Sequence, residues 1–101
     1  MKIEQRDSRL TVSDIPELTA VNSASFRDEV RAALPPSPSL VEIDFSQTRF
    51  VDSSGLGALF ALYRSTAHGS NVVLRLLNPR PEIQQLLELT QMQQLFEIVE
   101  R

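Results

Sequence analysis

Residues 50 to 57 read Phe50-Val51-Asp52-Ser53-Ser54-Gly55-Leu56-Gly57. An apolar pair leads into an acid and two hydroxyls, and small residues then open a helical apolar pattern. That order describes a strand ending at the N-terminus of a helix, with hydroxyl groups at the junction. A helix N-terminus leaves backbone N–H groups unpaired and carries partial positive charge, so it suits an anion such as a phosphate. The rest of the chain has to supply a sheet for that strand and a core for that helix.

Alternating segments supply the sheet. Lys2 to Val12 alternates apolar and polar residues on both sides of Asp7-Ser8, the pattern of a short hairpin. Ile15-Pro16-Glu17-Leu18 reads as a brief edge segment, because proline cannot donate to a central ladder. Leu40 to Phe45 alternates strictly, with Val41, Ile43 and Phe45 on one face and Glu42 and Asp44 on the other. Val72 to Leu77 reads as a buried strand, and Phe96 to Val99 as a last short one.

Three helices are expected between them. Asn22 and Ser23 are capping residues ahead of Phe26, Val30, Ala33 and Leu34 at helical spacing, and Pro35-Pro36-Ser37-Pro38 stops that helix. The second follows the serines, with Leu56, Leu59, Phe60 and Tyr63 on its core face, and ends at His68-Gly69-Ser70-Asn71. Asn78-Pro79-Arg80-Pro81 opens the third, whose apolar positions are Ile83, Leu86 and Leu87; Met92 and Leu95 lead on to the last strand. Alternating strands and helices make an α/β domain with a mixed sheet. A chain of 101 residues has room for one core, so one domain over residues 1–101 is expected.

Composition excludes several functions. With a net charge of −3 and no basic stripe, the chain lacks what a nucleic-acid binder needs to neutralise phosphates. Cysteine is absent and histidine occurs once, which excludes disulfides and makes a transition-metal site improbable. No apolar stretch approaches the roughly 20 residues of a membrane span, and the charged start has no signal-segment pattern, so a cytoplasmic location is the default expectation. A serine nucleophile would need a base, and His68 would lie roughly 22 Å along the helix from Ser53. The Gly-x-Ser-x-Gly elbow is absent, Gly55-Leu56-Gly57 is too short for a phosphate-binding loop, and Lys2 is the only lysine. His68 suits a helix C-terminus better than a ligand set.

Two features remain to carry function, each with two readings. A phosphate on Ser53 would add about −1.5 to −2 charges at pH 7, tolerated by the helix N-terminus but opposed to any partner burying that surface beside Asp52. The plainer reading is that Ser53 and Ser54 only cap the helix. The stripe Ser54, Gly57, Ala58, Ala61 and Ser65 is small and uncharged where a solvated face normally carries charge. It is either a docking surface or a contact with the third helix.

The arrangement resembles the STAS domain, in particular the bacterial anti-sigma factor antagonists. The resemblance rests on Val41-Glu42-Ile43-Asp44-Phe45, on the run from Phe50 through Ala58 and Leu59, and on Leu76-Leu77-Asn78-Pro79, Leu86-Leu87-Glu88-Leu89-Thr90 and Leu95-Phe96-Glu97-Ile98. It implies a mixed sheet of four or five strands with helices packed mainly on one side. It also implies a switch: Ser53, directly after the aspartate, as the residue phosphorylated by a partner anti-sigma factor that is itself a serine kinase, with a serine phosphatase to reset it. ATP and magnesium would belong to the kinase, so no cofactor is expected here. The implied partner-binding residues are Asp52, Ser54, Gly55, Gly57, Ala58, Ala61, Thr19 and Asn22. In one place the chain departs from the family pattern, with Pro16 for the usual glycine and Thr19 for the usual aspartate. The alternative is a STAS module that is not switched, serving as a fixed interaction part of a phospholipid-transport or stress-signalling assembly.

Overall fold

The computed structural model describes residues 1–67 and 70–101. Five strands form one sheet: β1 (Lys2–Arg6), β2 (Arg9–Ser13), β4 (Leu40–Asp44), β6 (Val73–Leu77) and β7 (Glu97–Val99), in the order β1-β2-β4-β6-β7. β1 and β2 are the antiparallel hairpin expected at the start, turning at Asp7 with φ of 55°, and the other neighbours pair in parallel. β3 (Glu17–Leu18) and β5 (Phe50–Val51) pair in parallel as a separate two-stranded ribbon.

Alternation decides which face of the sheet is covered. Leu10, Val12, Val41, Ile43, Leu74 and Leu76 point to one side and are fully buried or nearly so. The same core takes Phe26 and Val30 from α1 (Ser23–Ala33), Leu56, Leu59 and Leu62 from α2 (Ser53–Leu62), and Ile83 and Leu87 from α3 (Pro81–Leu89). The other face is polar. Register sets Glu4, Thr11, Glu42, Arg75 and Glu97 in one row across the five strands. Arg75 bridges Glu42 at 3.1 Å and Glu97 at 3.0 Å, and hydrogen bonding to Glu42 first, then to Glu97, holds its guanidinium more firmly protonated than usual.

The first helix ends at Leu34 with the proline run beyond it, as its sequence requires. Asn22 stands at its N-cap, and its carbonyl accepts from the Phe26 N–H at 2.9 Å, but its side chain makes no capping bond. Its side chain accepts from the Thr19 N–H at 2.8 Å and donates to the Glu17 carbonyl at 2.7 Å, fixing the loop before the helix.

The second helix is rotated from the expected orientation. Phe60, expected on the core face, is 43% exposed, while Ala58, expected on the free stripe, is buried. At 100° per residue the buried arc is turned by about 70°. The cause is a second contact surface: α2 rests on the sheet below and against α1 beside it, and small residues at Ala58 and Ala61 let α1 come close. The stripe therefore lies partly against the first helix, where the third was one of the two expected neighbours. After Leu62 the helix widens into a π-helical turn, Tyr63–Ala67. The expected stop begins at His68 and Gly69, which lie outside the described residues.

Candidate functional site

The junction predicted at residues 50 to 53 is present and tightly tied. Val51 points into the core, so strand alternation turns Phe50 outward, where it is 57% exposed. The Asp52 N–H donates to the Leu18 carbonyl at 3.2 Å, and Asp52 stands in extended backbone as the N-cap of α2. Its Oδ1 accepts from the Gly55 N–H at 2.9 Å, and its Oδ2 accepts from the Ala20 N–H at 3.1 Å. One carboxylate therefore closes the helix end and clamps it to the loop after β3. The Gly55 amide, helped by those of Ala20 and Ser54 and opposed by partial desolvation, holds the Asp52 carboxyl below the usual aspartate range.

This geometry decides the capping question. The cap is Asp52, and Ser53 and Ser54 occupy the first two helical positions. Ser53 is exposed, and its hydroxyl makes no hydrogen bond among the described residues. An exposed serine with no structural task at a helix N-terminus can accept a phosphate without loss of a cap.

Gly55 has a separate steric role. A Cβ there would stand 2.2 Å from the Leu18 carbonyl oxygen, so only glycine lets α2 approach β3 this closely. At Gly57 a Cβ would meet nothing within 4 Å.

The remaining sequence-predicted residues divide by burial. Thr19, Gly55 and Ala58 are interior; Asp52, Ser54, Ala61 and Asn22 are half-buried; Ser53 and Gly57 are exposed. Thr19 is 8% exposed, and its hydroxyl accepts from the Val21 N–H at 3.2 Å. The exposed strip of α2 is Ser53, Gly57 and Phe60, which fall within about 60° of arc, with Arg64 one turn further. Phe50 and Val21 flank its start, and Val21 is 90% exposed. Sequence reasoning missed both as surface residues, although outward alternation in a two-residue strand marks Phe50. Val21 is an apolar residue in a polar loop, which is the signal that would have found it. Among the described residues no cluster of side chains could hold a metal ion, and no helix is long and apolar enough to cross a membrane.

The STAS domain family model matches residues 1–101. The chain belongs to the STAS domain family. A STAS-domain containing protein of Pseudomonas aeruginosa (strain UCBPP-PA14) is 38% identical over 74 residues, covering 72% of this chain and 70% of the relative. An anti-sigma factor antagonist from Mycobacterium paratuberculosis superposes with a TM-score of 0.82 at 25% identity, over 96% of this chain and 81% of that one. The Bacillus anti-sigma factor antagonist SpoIIAA shares the fold in its unphosphorylated form, with a TM-score of 0.77 at 18% identity over 99% of this chain and 87% of that one. Its phosphorylated form gives 0.75 at 18%, over 99% and 89%. The fold also occurs inside a larger protein, the murine anion transporter Slc26a9, with a TM-score of 0.76 at 21% identity over 94% of this chain and 16% of that one.

Proposed function

We propose that this STAS domain is an anti-sigma factor antagonist: a cytoplasmic regulator that binds an anti-sigma factor with serine kinase activity and is released when Ser53 is phosphorylated. The observation that carries the reading is the division of labour at the start of α2. Asp52 supplies the cap, leaving the Ser53 hydroxyl exposed and without a hydrogen-bond partner among the described residues. The likeness to an antagonist at 25% identity supports the partner class. That SpoIIAA is known in phosphorylated and unphosphorylated forms supports the switch.

The mechanism follows from charge. Unphosphorylated, the exposed end offers Phe50, Val21, Gly57 and Phe60 around one neutral hydroxyl, a surface another protein can cover at little desolvation cost. Phosphorylation places about −1.5 to −2 charges beside a carboxylate held ionised by its own hydrogen bonds. Burying both costs more than the apolar contacts return, and the partner leaves while the fold stays intact. The chain acts by binding and performs no catalysis; the kinase brings its own nucleotide, and a serine phosphatase restores the hydroxyl.

Affinity capture from native-host lysate tests this with wild type, Ser53→Ala and Ser53→Asp as baits. A serine kinase should be recovered with the first two and lost from the third. Equal recovery on all three baits would overturn the switch.

A further inference from the structure

A second surface lies at the far end of α2, about 16 Å from Ser53 by helical rise. There Arg31 of α1, Ala61 of α2 and Arg64 and Ser65 of the π-helical turn line an open groove of about 290 Å³. Arg31 reaches across it, donating from Nε to the Ser65 hydroxyl at 3.3 Å and, at the limit of hydrogen bonding, from Nη2 to the Ala61 carbonyl at 3.5 Å. The Arg64 guanidinium lies 5.9 Å from the centroid of the Phe60 ring. Neither guanidinium has a carboxylate partner among the described residues, and each keeps most of its five N–H donors for a ligand. Two cations converging on one groove repel each other until an anion sits between them. Arg6 and Arg9 also face each other across the first hairpin, but on an exposed tip that carries Asp7.

Arg64 also lines a neighbouring cleft of about 340 Å³, whose other walls are Phe60, Tyr63 and Leu95. The cleft is mainly apolar, with two aromatic rings and a leucine in its lining. A guanidinium groove continuous with an apolar slot matches a carboxylate next to an aliphatic side chain. The π-helical turn supports this reading, because the extra residue per turn displaces Arg64 and Ser65 from their α-helical positions, and such turns recur at functional sites.

We propose that this surface docks an acidic-aliphatic segment of a partner protein, with its carboxylate between Arg31 and Arg64 and its aliphatic side chain against Phe60, Tyr63 and Leu95. The charge argument selects the occupant: the chain as a whole carries −3, and this groove presents two cations without counter-ions. The surface continues the exposed strip that starts at Ser53, yet it lies beyond the screening length of roughly 8 Å at physiological salt. A phosphate on Ser53 therefore leaves it unaltered, and the inference stands or falls apart from the switch.

The test is an amide chemical-shift titration of the full chain with an acetylated, amidated hexapeptide of alternating glutamate and leucine. Parallel titrations use the same peptide with glutamine for glutamate, inorganic phosphate, and ATP. Saturable shifts should centre on Arg31, Phe60, Arg64, Ser65 and Leu95, and Ser53→Asp should leave them unchanged. Arg31→Gln and Arg64→Gln should each weaken the peptide by about tenfold, the loss expected for a charged hydrogen-bonding group. The dispersion of the remaining amide signals verifies that each variant is folded. Any of four results overturns the proposal: no saturable shift, shifts confined to the Ser53 end, equal binding of the glutamine peptide, or tighter binding of phosphate or ATP than of the peptide.

Discussion

Gly55 and Gly57 stand two residues apart on one helix and meet opposite surroundings. Gly55 lies against the Leu18 carbonyl, where a Cβ would be 2.2 Å from backbone oxygen, whereas Gly57 faces open space. The inner side of α2, with Gly55, Ala58, Leu59 and Leu62, is fixed by the sheet and by α1. The outer side, with Ser53, Gly57 and Phe60, carries no such constraint from the fold. The contrast separates residues chosen by packing from residues left available to a partner. Within a run as short as Asp52 to Gly57 both kinds occur, so the motif is part architecture and part surface.

Substitutions can break or sharpen that contrast. The largest effect is expected from Gly55→Ala, which forces a methyl group into a backbone held in place by the Asp52–Leu18 hydrogen bond. A loss of about 3 kcal/mol or more should appear in urea denaturation, or the variant should fail to fold. Leu59→Ala, on the same inner side and fully buried, should cost about 3 kcal/mol in the same experiment. Ser53→Asp should leave stability within about 0.5 kcal/mol of wild type. Its partner affinity should nevertheless fall by about tenfold or more, the effect of burying an added charge beside Asp52. Gly57→Ala should raise stability by about 0.5–1 kcal/mol, since alanine is the better helix former and nothing obstructs it. A loss of stability at Gly57 comparable to that at Gly55 would remove the distinction between the two sides.

The smallest effect concerns pH. The Asp52 carboxyl is held below its ordinary range by the Gly55 amide first, so its charged form favours the folded state. That contribution is fully present above the ordinary aspartate value of about 3.9 and is lost as pH falls through the lowered folded value. Melting temperatures of wild type and Asp52→Asn should therefore differ at neutral pH and converge in acid. A difference that stays constant down to pH 2 would show that the charge contributes nothing.

The fold was legible from the sequence because alternation in Leu40 to Phe45 and helical spacing after Ser53 are local signals that tertiary packing reinforced. The rotation of α2 was not. Its inward arc depends on two neighbours, the sheet and α1, and the positions of Ala58 and Phe60 follow from how closely α1 approaches. No periodicity within the helix encodes that distance. Asn22 illustrates the same limit: its place in the sequence suits a cap, but the Thr19 amide and Glu17 carbonyl took up its side chain. The strand-to-helix junction was readable to the residue, and the identity of its cap was not. Asp52 and the two serines are all capping types, and the bonds from the Gly55 and Ala20 amides to its carboxylate select the acid.

The most direct test of the account is intact-mass spectrometry with peptide mapping of the protein isolated from its native host across growth conditions. The account predicts a single phosphate on Ser53, present in a fraction that changes with condition. Protein that is unmodified under every condition, or that carries its phosphate elsewhere, would contradict it.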